Sequence, residues 1–205
     1  MWQENRIDLR NREIFLSDIS EGMVEEVRNK LGSDFNCIVA DAEKIPFKDS
    51  YFDSIIANHV LFYLNDLNLG LKEIDRVLKS DGILYCSTYG KNHMKEITEI
   101  VQNFDPRINL SNHSLYEIFG LENGGSILKK YFSSVSRFDY QDSLEITESK
   151  PLIDYIMSCH GNQNEILGPR LNEFKEYIEE LFLKKNGKIF VTKQAGLFIC
   201  KKRRG

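Results

Sequence analysis

Short unbroken apolar runs alternate with stretches of helical spacing over the first ninety residues. Glu13–Ser17 (EIFLS) reads as a strand that stops at Asp18, and Ser20 is a good N-cap for the next helix. The spacing of Met23, Val27 and Leu31, with Val24 beside them, predicts a helix over Glu21–Leu31 that Gly32 ends. Cys37–Ala40 and Ser54–Ala57 are the next two strands, joined by a loop, Asp41–Asp53, rich in turn residues. Leu64, Leu67, Leu71, Ile74 and Leu78 fall on one helical face, with Asn65 or Asp66 as the cap. Ser80-Asp81-Gly82 is expected to end that helix on a glycine of positive φ, before a strand over Ile83–Thr88.

Beyond Gly90 the pattern loosens. Helices are expected over Met94–Phe104, Ser114–Leu121, Ser126–Phe132, Leu152–Met157 and Pro169–Leu183. Strands are expected over Val135–Tyr140 and, after an Asn186-Gly187 turn, over Lys188–Cys200 as one or two pieces. Residues 1–12 read as the end of a helix and a turn. Strand, helix, strand repeated in this way is the rhythm of an α/β fold with a mostly parallel sheet and helices on both faces. Ligands of such sheets bind beyond the carboxyl ends of the strands. Asp41, Asn58 and His59 stand at such ends, so they are the first candidates for a site.

Composition narrows the partners. The chain has 205 residues, 41% apolar and 28% charged, enough for a single domain spanning 1–205. Its balance of 27 basic and 31 acidic residues argues against nucleic acid as a partner, and Lys201–Arg204 reads as a solvated tail. No apolar run is long enough to cross a membrane, and the first residues do not form a signal peptide. Cys37, Cys86, Cys159 and Cys200 lie far apart, with neither zinc spacing nor a disulfide pattern, so no metal site and a reducing cytoplasm are expected.

Three segments in this order, LSDISEGMVEEVR, VADAEKIPFKDSYFDSIIANHVLFYL and LKEIDRVLKSDGILYCSTYG, resemble the class I S-adenosylmethionine-dependent methyltransferases. The similarity is to the subgroup acting on small molecules and quinone precursors. It implies a Rossmann-like fold, S-adenosylmethionine as cofactor and a small-molecule methyl acceptor. In that family the acid ending the second strand holds the ribose, which places Asp18 there; a helix cap is the alternative role for Asp18 and Ser20. Asp41 and Ala42 correspond to the adenine pocket, with Ile19, Met23 and Ile45 as apolar walls or ordinary core. Asn58 and His59 correspond to the position near the methionine part of the cofactor. His59 is also the candidate general base, against a structural histidine. Tyr63, Tyr89, His93 and His113 are weaker catalytic candidates. The family's asparagine–proline–proline signature is absent, which favours a small-molecule acceptor. Residues 91–132 and 143–185 are expected to form the lid and substrate wall, with Phe104, Tyr116, Phe119, Tyr131 and Phe132 as aromatic wall or core.

One departure is large. The glycine-rich strand-turn-helix that opens the family's fold does not occur; the adjacent glycines are Gly124-Gly125, far downstream. The chain is therefore expected to start inside the fold as a truncated form and to leave two strand edges open. A neighbouring strand or a second copy can fill such a gap, which points to a homodimer. A non-catalytic binding or oligomerisation module of the same fold is the alternative function. A nicotinamide dehydrogenase is disfavoured, since no G-x-G-x-x-G follows a strand.

Overall fold

The computed structural model describes residues 12–32, 35–111 and 114–202. Strand β1 (Phe15–Asp18) leads through helix α1 (Glu21–Leu31) to β2 (Asn36–Val39). Ser20 caps α1 by accepting the Met23 N–H, and Gly32 closes it at φ 73°, a conformation in which a side chain would be strained. β1 and β2 pair in parallel, with Asp18 opposite Val39.

A second sheet has the order β3 (Phe52–Asn58), β4 (Leu78–Tyr89), β6 (Ile189–Lys202), β5 (Phe132–Ile146). β3 and β4 are parallel; β6 is antiparallel to both β4 and β5. Helix α2 (Leu67–Val77) joins β3 to β4, capped by the Asp66 carboxylate on the Leu69 N–H at 3.0 Å. It does not end on Gly82. The chain passes directly from Val77 into extended backbone at Leu78, and Gly82, with no positive φ, lies inside β4. The Asn186-Gly187 turn does use left-handed backbone, at φ 55° and 76°.

The two faces of the larger sheet differ sharply. Ala57, Leu84, Cys86, Phe198 and Cys200 point into one buried cluster with Leu61, Phe62, Leu71, Ile74, Phe119 and Leu128. Of the stripe its spacing predicts, helix α2 supplies Leu71 and Ile74, with Leu67 packed against them; Leu64 precedes the helix and Leu78 opens β4, and α4 (Leu115–Phe119) and α5 (Gly124–Leu128) complete that cover. Registered partners share a face, so Ile56, Tyr85 and Ile199 lie in one row on the opposite side, with Phe138 and Leu197 in another. Ile56 is 50% exposed, Phe138 56% and Tyr140 62%.

A second cluster gathers α3 (Lys95–Phe104), α6 (Ser149–Ser158), α7 (Gln163–Leu167) and α8 (Leu171–Lys184) around Ile100, Ile156, Phe174 and Ile178, with Ile189 and Val191 from the start of β6. Since Tyr89 at the end of β4 pairs with Ala195, the start of β6 runs past that end. The helical cluster therefore stands beyond the carboxyl edge of the sheet. Among the described residues β1 and β3 do not pair, so each keeps one edge without a strand partner. Phe15 bridges them at their amino ends, packing on Phe47, Tyr51 and Phe52 with ring centroids 4.8–6.1 Å apart.

Candidate active site at the carboxyl ends of the strands

The carboxyl ends of β1, β2 and β3 are brought to one edge by a single loop. Glu43, two residues past Asp41, accepts the backbone N–H groups of Asn65 (2.6 Å) and Asp66 (3.2 Å), beyond the end of β3. The rest of the loop is tied to α2. Arg76 donates to the carbonyls of Ile45 (3.0 Å) and Phe47 (2.8 Å), to Asp49 (2.8 Å) and twice to Glu73 (2.7 Å each). Glu73 also accepts the Ile45 N–H at 3.0 Å. The guanidinium's hydrogen bonds hold the Glu73 carboxyl below its ordinary pKa of 4.5. A side chain at position 70 would meet Leu64 at 2.4 Å and come within 3.7 Å of the Ala42 carbonyl, so Gly70 lets α2 close on this loop.

Asp18 uses one oxygen for the turn and leaves the other open. Its Oδ1 accepts the Ser20 N–H at 2.9 Å, which orders the entry into α1. No bond to Oδ2 is formed among the described residues, and the side chain borders a small cavity of about 80 Å³ lined also by Leu16, Met23 and Cys37. Asp41 likewise accepts the Glu43 N–H at 2.8 Å and is half-buried. Ala42 is half-buried beside it. Ile19 and Met23 are 68% and 49% exposed, whereas Ile45 packs against the buried cluster.

Asn58 and His59 end β3. His59 adopts φ 49°, and its N–H is shared by the Ser87 carbonyl and hydroxyl, both at 3.2 Å. Ser87 in turn donates to the Asn58 side chain at 3.3 Å. The His59 imidazole has no hydrogen-bond partner among the described residues. It stacks on Tyr89 at 6.3 Å and 18°, and the resulting loss of hydration lowers its pKa below 6.5. Tyr89 also touches His93 (5.3 Å) and Phe62 (5.2 Å). Burial first, then the nearby Tyr63 and Tyr155 hydroxyls, push the Tyr89 phenol up to about 12.

Three of the weaker sequence candidates, Tyr63, Tyr89 and His93, thus meet His59 in one cluster; His113 lies outside the described residues. Of the downstream aromatics expected as wall or core, four take packing roles away from this site. Phe104 packs on Phe174 and Tyr177, Phe119 and Phe132 are buried in the first cluster, and Tyr131 bonds Asn68 at 2.8 Å. Tyr155 from α6 stands here instead, its hydroxyl 3.7 Å from the Met94 sulfur. Sequence reasoning misses Tyr155, Glu43 and the Glu73–Arg76 pair. For the last a signal exists: opposite charges three residues apart on the polar face of a helix. No three His, Cys, Asp or Glu side chains converge as a metal site among the described residues.

A family model described as a methyltransferase domain matches residues 4–86. Over this stretch, about two fifths of its length, the chain is similar to methyltransferase domains. The match ends in β4, so it contains Asp18, Asp41, Asn58 and His59 but not Tyr89 or His93. Over 105 residues the chain is 33% identical to the ubiquinone/menaquinone biosynthesis C-methyltransferase UbiE of Pectobacterium atrosepticum, covering 47% of this chain and 42% of that one. It is 33% identical over 82 residues to a malonyl-[acyl-carrier protein] O-methyltransferase of Legionella pneumophila, and 35% over 86 to the mitochondrial arginine-hydroxylase NDUFAF5 of Danio rerio. Those matches cover 39% and 41% of this chain, and 29% and 26% of the relatives. The chain thus aligns with less than half the length of each. The whole fold is also similar to the YcgJ protein of Bacillus subtilis, with a TM-score of 0.57 over 94% of this chain and 83% of that one at 18% identity. A methyltransferase-like protein of Bacillus halodurans gives 0.56 over 94% and 84% at 14%. The Rossmann-like methyltransferase fold is therefore present, with a mixed sheet.

Proposed function

We propose that this chain binds S-adenosylmethionine along the edge from Asp18 to His59 and transfers its methyl group to a small molecule held beside Tyr89. One observation carries the reading: Asp18, Asp41 and Asn58–His59 occupy successive strand ends in the order the family's cofactor residues take. The Asp18 Oδ2, unbonded among the described residues, suits a ribose hydroxyl, and a carboxylate accepting such donors forms strong hydrogen bonds. The loop pinned by Arg76 gives Asp41 and Ala42 a fixed position for the adenine. The bound cofactor supplies an electrophilic methyl on sulfur. The protein adds alignment of the acceptor and exclusion of water, and the position of the helical cluster beyond the sheet edge supports a lid role for it. His59 is the group available to take a proton from the acceptor, since burial lowers its pKa and its imidazole forms no hydrogen bond among the described residues. Calorimetric titration with S-adenosylhomocysteine tests the reading. Saturable binding is expected, weakened about tenfold or more in both Asp18→Ala and Asp41→Ala; heat that neither substitution changes counts against the site.

A second reading, a self-associating module of the same fold, is favoured by the exposed Ile56, Phe138 and Tyr140 on the sheet's outer face. Its occupant is a second copy of this chain. The four cysteines, none in a disulfide, support a cytoplasmic setting. Among the described residues no helix is long and apolar enough to cross a membrane.

A further inference from the structure

A cavity lies away from the strand ends, between α5 and the edge strand β5. Its volume is about 380 Å³, near the lower end of the sizes that hold small molecules. Leu121, Val135 and Phe198 make its floor apolar, and Leu121 and Phe198 are buried. Val135 pairs with Cys200 and Arg137 with Phe198, so both β5 side chains stand on the face that α5 covers, opposite Phe138 and Tyr140. Glu122, Gly125, Ser126 and Lys129 form the other wall, along one side of α5 and its flanking turns.

Gly125 keeps this cavity open. A glycine inside a helix costs backbone freedom, so it needs a reason. Gly124 has one in packing, since a Cβ there would meet Phe198 at 2.9 Å. Gly125 does not share it. Its φ is not positive, and among the described residues its Cβ would meet only the Phe198 ring, at an ordinary 3.6 Å. A side chain at 125 would instead stand in the cavity. The glycine pair thus divides into one position set by packing and one that leaves space for a ligand beside the backbone.

The polar groups of the lining suit an anion. Three of the five Arg137 N–H groups hold it in place, two on Asp139 (2.5 and 3.1 Å) and one on the Leu121 carbonyl (2.6 Å). Asp139 offsets its charge but leaves two N–H groups without a bond among the described residues, and a guanidinium offers such groups to a carboxylate as charge-assisted donors. Lys129 brings a second cation to the lining. Glu122, the acid in the lining, commits one oxygen to the Lys91 N–H at 3.2 Å, in the turn after β4.

We propose that this cavity is a second binding site, for a small carboxylate whose apolar body lies on Leu121, Val135 and Phe198 and whose head meets Arg137 and Lys129. It is separate from the edge that runs from Asp18 to His59, and it stands whether or not that edge holds a cofactor.

The probe is benzoate, with benzamide as the same ring under a neutral head. In nuclear magnetic resonance titrations of the full chain, benzoate should shift the signals of Gly125, Ser126, Val135 and the Arg137 side chain saturably, and benzamide should bind about fivefold or more weakly. Arg137→Gln and Lys129→Gln should each weaken benzoate about threefold or more and leave benzamide unchanged. Gly125→Leu should abolish binding of both while the thermal midpoint holds or rises, because leucine is the better helix former. A glycine with a merely structural role would lose stability along with binding. Lys129→Gln alters an exposed position, so its result decides even where another variant unfolds the chain. Shifts that do not saturate at these residues, equal affinity for the two probes, benzoate binding unchanged in Lys129→Gln, or binding that survives Gly125→Leu overturns the site.

Discussion

The Arg76 guanidinium commits all five of its N–H groups, two of them to Glu73 and three to the loop beyond Asp41. A fork of this kind fixes direction as well as distance, which a lysine cannot reproduce. The pair therefore holds the loop of the edge proposed to bind the cofactor, and is more than a surface ion pair. Arg76→Lys and Glu73→Gln should each free the Ile45–Asp49 segment. The expected result is faster amide hydrogen exchange at Ile45 and Phe47, with S-adenosylhomocysteine affinity down about tenfold while the α1 amides are unchanged. Glu73 also makes a pH signature. Its folded pKa is lowered, so its contribution is present above about 4.5 and disappears as pH falls through the folded value. Loop protection should be lost in that acid window in the native chain and be independent of it in Glu73→Gln.

The apolar pattern makes the elements up to β4 legible. The α1 range is the one its spacing predicts, and Gly32 ends it as expected. Legibility falls where local signals compete with pairing. Ser80-Asp81-Gly82 has the chemistry of a helix stop, yet pairing of Ile83 with both Ser54 and Lys201 keeps it within a strand. The pattern over Val135–Tyr140 marks less than half of β5, which runs from Phe132 to Ile146, because its polar outer half is held by β6 rather than by a buried face. At the site, strand-end residues can be named from sequence since local order decides them. Tyr155 cannot, as it reaches Met94 only through the packing of a helix 61 positions away in sequence.

His93 predicts a pH dependence of opposite origin to that of Glu73 but the same sign. Its folded pKa is depressed below 6.5, so the unfolded chain binds the proton first. Stability from this group is complete above 6.5 and is lost as pH falls towards the folded value. The Gln194 N–H donates to His93 Nδ1 at 3.2 Å, and protonation would set an Nδ1–H against it. Urea midpoints between pH 7.5 and 5.5 should fall in the native chain and fall less in His93→Gln. Parallel curves for the two would show that His93 is not bonded through Nδ1.

Gly161 marks a contact that no side chain can enter. A Cβ there would lie 1.7 Å from the Asn109 carbonyl oxygen, which is backbone and has no rotamer to give. Asn162 ties the same place, donating its N–H to the Asn109 carbonyl at 2.9 Å and accepting the Asn109 N–H on its side chain at 2.7 Å. Gly161→Ala should cost about 1–3 kcal/mol in urea unfolding, the range of overpacked sites. Unchanged stability would mean that the 107–111 segment yields more easily than its hydrogen bonds imply.

The outer face of the four-stranded sheet supplies the last prediction. Ile56 from β3 and Tyr140 from β5 are at opposite sides of it, both at least half exposed, with Tyr85, Leu197 and Ile199 half-buried between them. An apolar face of four adjacent strands left open to water is a place for association. If a second copy covers it, one substitution per edge is enough to undo the contact, because a lysine amine brought into an apolar interface must be desolvated. Light scattering behind size-exclusion chromatography should give a dimer mass for the native chain at tens of micromolar. Ile56→Lys and Tyr140→Lys should each give the monomer with unchanged far-ultraviolet circular dichroism. A native monomer would remove the self-association reading. A dimer that both substitutions leave intact would place its interface elsewhere, with the unpaired edges of β1 and β3 as the next surfaces to substitute.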